Sequence, residues 1–219
     1  TPAPLGISVA AIYSGSTTIA PSTFAVTGLV NSETITGISS AVINNMNVAG
    51  NSTNFVRSIV ISGGTANASN YAFGSVASST AGTSLNTVVL TAKTLTVTGT
   101  LTESKVYDGT TAVKVWSGSL VGVIGVDVVT LSQAGVLNSP NVGNAISVVM
   151  GNTISGFSAP NYSLVQPSGV VGVVTPKTIT ISDGTVAHKV YDGTTNAVIT
   201  GGSLVGVLSG DTANVTLTQ

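Results

Sequence analysis

Few side chains in this 219-residue sequence can do chemistry: one histidine, His188, two glutamates, Glu33 and Glu103, and the aspartates at 108, 127, 183, 192 and 211. A catalytic site needs an acid, base or nucleophile placed among neighbours whose fields perturb it. His188 stands where a second copy of the same stretch carries Ser104, so it reads as an exposed strand-edge residue. A pair of carboxylates for glycoside hydrolysis would have to come from Asp108, Asp127, Asp192 and Asp211, all of them repeated positions. With no cysteine, disulfides, thiolate zinc sites, iron–sulfur clusters and thiol nucleophiles are excluded together. Calcium wants six to eight oxygens, several of them carboxylates, and no acidic cluster exists; Asp183-Gly184 is the one acid near a repeat boundary. The glycines from Gly118 to Gly125 lack the Gly-Lys-Ser/Thr ending of a phosphate loop. The expectation is no enzyme, no cofactor and no metal site.

Two motifs remain. Lys105-Val106-Tyr107-Asp108-Gly109-Thr110-Thr111 recurs as Lys189-Val190-Tyr191-Asp192-Gly193-Thr194-Thr195, an offset of 84. Asp-Gly between strand-like runs signals a tight turn, because glycine accepts positive φ and aspartate bonds the amides that follow. The tyrosine is expected to put its ring in a core and its hydroxyl at the rim. This turn-and-anchor reading outweighs a ligand site built from Tyr107 and Asp108 or Tyr191 and Asp192. Lys105 and Lys189 also lie near many asparagines, so composition permits a Lys–Asn isopeptide bond. Trp116, the sole tryptophan, aligns with Thr200. It is therefore not demanded by the shared fold and reads as a surface contact, or as a platform for a sugar ring.

The elements that hold these motifs are repeats. Over 105–127 against 189–211, 14 of 23 positions are identical without a gap. Lys93-Thr94-Leu95-Thr96-Val97 returns as Lys177-Thr178-Ile179-Thr180-Ile181 at the same offset, and Asn70-Tyr71 resembles Asn161-Tyr162. Tyr13-Ser14-Gly15 stands in the first copy where Tyr-Asp-Gly stands in the others. The division is 1–92, a diverged copy, 93–176 and 177–219, the third about half of a repeat, either cut from a longer array or completed by strands of another chain. Alternation in 94–98, 178–182 and 214–218 predicts strands with one buried face, β-branched Thr filling the outward positions. Helix is expected to be nearly absent, apart from a turn before Asn161. The expectation is all-β: small sandwich-like modules in series, each with its own core. A β-grasp-like module and a β-solenoid are the rivals; solenoid coils repeat at about 20–30 residues, and no such sub-period is found.

The Lys-Val-Tyr-Asp-Gly-Thr-Thr signature, Asn161-Tyr162-Ser163-Leu164 and Thr175-Pro176-Lys177-Thr178 resemble the YDG and related MBG repeat modules of large secreted bacterial surface proteins of the filamentous-haemagglutinin and adhesin type. The resemblance covers 93–176 fully and 177–219 in part, and is weaker over 1–92. It implies a non-enzymatic extracellular spacer and carries over no catalytic or ligand residue.

Charge fits that expectation. Charged residues are 6% of the chain, against roughly 25% in average soluble proteins, and the net charge is -1. Nucleic acid needs clustered Lys and Arg, and so does an anionic membrane surface; neither is expected as a partner. The charge-free runs 1–32 and 128–176 are broken every few positions by polar residues, so no transmembrane helix is expected. A mean hydropathy of +0.52 argues against disorder. Uncharged faces of Thr, Ser, Asn and Gly lack long-range repulsion, and strand edges are poorly guarded by Lys or Pro. Other copies of the chain or neighbouring repeats are the expected partners, in a stalk, spacer or fibre on the bacterial surface. The competing expectation is a carbohydrate- or host-surface-binding module working through Trp116.

Overall fold

Alternating aliphatic and hydroxyl residues suit a pleated, half-buried surface. The computed structural model, which describes residues 1–79 and 85–218, is all-β, with no α-helix among the described residues. Its chain forms two compact units. They are drawn across the sequence repeats: one holds 1–98, 119–132 and 152–166, the other 99–118, 133–151 and 167–219.

In the first unit, the strand Gly6–Ile12 runs antiparallel to Thr23–Thr27 and parallel to Asn86–Thr91. A second sheet contains Thr18–Ile19, Ile35–Ile43 and Val56–Gly64. Ile7, Val9 and Ala11 from the first sheet share one core with Ile38, Ala41, Ile43, Val56 and Ile59 from the second. Burying each aliphatic side chain contributes about 1.5–3 kcal/mol. Asn86 is buried between them without penalty, because its amide is satisfied: Oδ1 accepts from the Val56 N–H at 2.8 Å and Nδ2 donates to the Val56 carbonyl at 3.0 Å. The strand Lys93–Thr98 lies between Ser119–Val121, antiparallel, and Tyr162–Leu164, parallel. As its alternation requires, Leu95 and Val97 are buried and Thr94, Thr96 and Thr98 are exposed. The turn expected before Asn161 is the 3-10 turn Ala159–Asn161.

In the second unit, a four-stranded sheet runs in the order Lys105–Val106, Val171–Thr175, Gly143–Met150, Gly135–Leu137. Leu137 and Val174 are buried there. The third repeat copies the pairing of the second. Thr180↔Val205 repeats Thr96↔Val121, and Thr185↔Thr200 repeats Leu101↔Trp116, each shifted by 84.

The expected strand at 214–218 is absent: 211–214 is a turn and 215–218 has no regular structure. Its counterpart, Thr130–Ser132, is held by pairing with Thr153–Ser155. No strand pairs with 215–218 among the described residues, and a lone strand leaves its backbone groups unpaired.

Candidate functional site

The Lys-Val-Tyr-Asp-Gly motif folds into a clamped turn. Asp108 Oδ1 accepts from the Thr110 N–H at 2.9 Å and from its hydroxyl at 2.8 Å. Gly109 takes the left-handed conformation at φ +75°, which glycine reaches without steric cost. Lys105 Nζ closes the loop, 2.6 Å from Asp108 Oδ1, and donates to the Thr110 and Ala112 carbonyls at 3.0 and 2.9 Å. Lys189, Asp192, Gly193 and Thr194 repeat the arrangement, with Nζ 2.9 Å from Asp192 Oδ1 and Gly193 at φ +73°. The lysine beside it, then the Thr110 amide, hold the Asp108 carboxyl down at about 2; Lys189 likewise lowers Asp192. Among the described residues, the partners of either ammonium include no asparagine, which an isopeptide bond would require. The turn is not a hairpin: Lys105–Val106 pairs with Val171–Thr175, whereas the next strand, Val115–Trp116, pairs with Leu101–Thr102.

The tyrosine's backbone ties it to the last strand of its own repeat. The Tyr13 N–H donates to the Thr91 carbonyl at 2.9 Å, and the Tyr107 N–H to that of Thr175 at 2.8 Å. Its hydroxyl meets a residue of the repeat that follows, as that of Tyr13 does. In the first compact unit, Tyr13 donates to Asp127 Oδ2 at 2.9 Å, and Tyr162 donates to the same oxygen at 2.5 Å. The Ser158 hydroxyl donates to Oδ1 at 3.2 Å. The two rings meet edge to face, centroids 5.4 Å apart, over a small core with Leu95. The Ile124 N–H donates to the Tyr162 oxygen at 3.0 Å, fixing the hydroxyl's direction. Asn161, one residue before, accepts from the Val48 N–H at 2.9 Å and donates to Asn47 Oδ1 at 3.1 Å.

This node joins the first repeat to the second, and its electrostatics are those of a fastener. Partial burial raises the Asp127 carboxyl, but hydrogen bonds from Tyr162, Tyr13 and Ser158 prevail and hold it below the ordinary range. Burial first, and then the hydrogen bond to Asp127, push the Tyr162 phenol up to about 12. One group stays ionised and the other protonated, and neither is poised near neutrality as a general acid or base must be.

A like contact lies in the second unit. Tyr107 and Asp211 line one cavity of about 250 Å³ with Leu208 and Val215, smaller than the roughly 300–1,000 Å³ of small-molecule sites. The Tyr107 phenol is raised, first by its hydrogen bond with Asp211.

Tyr191 differs: it is 93% exposed. Trp116 is 48% exposed on its two-residue strand, and His188 is exposed. Among the described residues, no three His, Cys, Asp or Glu side chains stand together as a metal site would need, and no helix is long and apolar enough to cross a membrane.

Sequence reasoning singled out the tyrosines and the clamp but not their acceptors. Asp127 and Asp211 are 84 apart like the motifs themselves, and that signal was legible. Glu33 is the first repeat's version: Tyr71 donates to its carboxylate, and the Val30 N–H donates to the Tyr71 hydroxyl at 3.2 Å. The change of acid and a spacing of 94 from Asp127 hid it.

Among known protein families, the model described as YDG domain matches residues 91–169 and 175–219. Searches of curated proteins and of solved structures gave no match.

Proposed function

The chain belongs to the YDG domain family, and from that premise we propose that it is a structural repeat segment of an extracellular bacterial surface adhesin or filament. Its modules are sandwich-like, and their task is reach and cohesion rather than chemistry. The observation that carries this reading is the Asp127 node, where tyrosines from two successive repeats converge on one carboxylate. The repeat's signature residues are consumed in clamping a turn and fastening a neighbour, which is what an array of mechanical units needs. The sparse charge and Thr- and Ser-rich strand faces suit close packing of like modules. Protease treatment of intact cells making the parent protein tests the location. Fragments containing this segment are expected in the supernatant, and recovery only after lysis would overturn the reading.

The exposed Trp116 ring favours a second reading, a carbohydrate- or host-surface-binding module, since an open indole can stack on a sugar face. On that reading the chain binds glycans in an array format and Trp116→Ala abolishes the signal. On the structural reading the two proteins behave alike.

A further inference from the structure

Three Asp-Gly pairs stand in the sequence: Asp108-Gly109, Asp183-Gly184 and Asp192-Gly193. Such a pair carries a reaction of its own. The glycine main-chain nitrogen can attack the aspartate side-chain carbon, and with no side chain on glycine that nitrogen is unshielded. The attack needs an uncharged carboxyl, because its hydroxyl departs as water with the amide proton. A carboxylate held by hydrogen bonds has to give them up first.

Two of the three are so held. Asp108 Oδ1 accepts from the Thr110 amide and hydroxyl and lies 2.6 Å from Lys105 Nζ. Asp192 Oδ1 accepts from the Thr194 amide and hydroxyl at 3.0 and 2.9 Å and lies 2.9 Å from Lys189 Nζ. Asp183 has no such clamp. Among the described residues its carboxyl meets the Ser182 hydroxyl, which donates at 2.9 Å, and no ammonium.

Its backbone differs as well. Asp183 sits at φ +61° on the exposed link between the strands Thr180–Ser182 and Thr185–Val186. The same position 84 residues earlier is Gly99, at φ +72° and also exposed. Exposure is therefore a property of this turn in both repeats, and so is the left-handed backbone. Glycine adopts that backbone freely, whereas a residue with a Cβ is strained in it.

We propose that Asp183-Gly184 is a site of spontaneous main-chain modification, where aspartate converts to isoaspartate while the two clamped pairs are spared. The Gly184 nitrogen bonds to the Asp183 side-chain carbon, one water leaves, and a cyclic imide closes. Water then adds back, breaking the bond between that nitrogen and the Asp183 main-chain carbonyl carbon. The main chain now runs through the former side chain, one atom longer, and the freed carbonyl carbon becomes a carboxylate on Cα. Mass is unchanged. The added atom falls between the pairs Ser182↔Ser203 and Thr185↔Thr200, and it frees the residue from the dihedral that its Cβ resists. The inference stands apart from the surface-array reading, which is judged on intact cells.

The placement of the lysines makes the test direct. Cleavage after lysine puts Asp108, Asp183 and Asp192 in separate peptides, 106–114, 178–189 and 190–219. The folded chain is aged near neutral pH, and isoaspartate is located in each peptide by electron-transfer fragmentation. Conversion at Asp183 is expected to run about tenfold or more ahead of Asp108 and Asp192, the factor set by releasing a hydrogen bond to a charged group. In urea the three are expected to convert at similar rates, since no clamp survives there. Lys105→Met is expected to speed Asp108 and leave Asp183 unchanged. Equal rates in the folded chain, a lead that persists undiminished in urea, an Asp108 indifferent to Lys105→Met, or no isoaspartate in 178–189 overturns the proposal.

Discussion

At the scale of the residue, Asp127 carries more of the molecule than its exposure suggests. Removing one partner of a charge-assisted hydrogen bond costs about 1–3 kcal/mol, so Asp127→Asn and Tyr162→Phe should each lower the stability of the first compact unit by that order. The two losses should be less than additive, since they share a bond. The pH dependence follows from the directions of the shifts. The folded Asp127 carboxyl lies below its unfolded value, so its contribution is complete above the ordinary carboxylate range, about 4. It is lost as the pH falls through the folded value. The Tyr162 phenol lies above its unfolded value of 10.0, at about 12. Its contribution is complete below 10 and lost as the pH climbs towards 12. Denaturant titrations across pH should therefore show an acid limb flattened in Asp127→Asn and an alkaline limb flattened in Tyr162→Phe. Unchanged limbs in both variants would deny the node its role.

At the scale of the element, glycines that share a positive φ differ in what surrounds them. Gly156 sits at φ +112°, and a Cβ there would lie 2.5 Å from the Val128 carbonyl oxygen. Gly64 occupies the matching place in the first repeat, at the same φ, with its Cβ position 2.1 Å from the Thr34 carbonyl. Backbone cannot step aside as a side-chain tip can, so Gly156→Ala should destabilise by roughly 2–3 kcal/mol. Gly193→Ala meets nothing and should cost only the conformational strain, about 1–2 kcal/mol. Thermal melts of the two variants measure the difference, and equal losses would mean that local strain alone decides. The clamped turn is an element of the same local kind: Lys105 and Asp108 are three residues apart, which explains why the motif keeps its shape in the third repeat although Tyr191 has no core to enter.

At the scale of the whole molecule, the compact units are not the repeats. Segments 119–132 and 152–166 of the second repeat pack with the first repeat, whereas 133–151 packs with 99–118 and the third. Cooperative opening follows packing rather than sequence order. Hydrogen exchange should accordingly show 119–132 and 152–166 protected together with the first repeat, and 133–151 exchanging with the second unit. A boundary in protection at 92 and 176 would show instead that each repeat opens as its own bead. The strand expected at 214–218 belongs to this scale too. Its alternation is as good as that of Thr94–Thr98, but alternation offers only a face, and a strand also needs a neighbour's hydrogen bonds.

What the sequence determined by itself is what depends on near neighbours and period. Alternation set the buried positions Leu95 and Val97, Asp-Gly set the turn, and the 84-residue offset announced that pairings such as Thr96↔Val121 would return as Thr180↔Val205. Which residues meet at long range is set by packing instead. Tyr13 and Asp127 are 114 residues apart, and nothing in the composition of either segment points to the other. Tyr13 is tied by its backbone to the last strand of its own repeat, through Thr91, and its hydroxyl meets the carboxylate of the next.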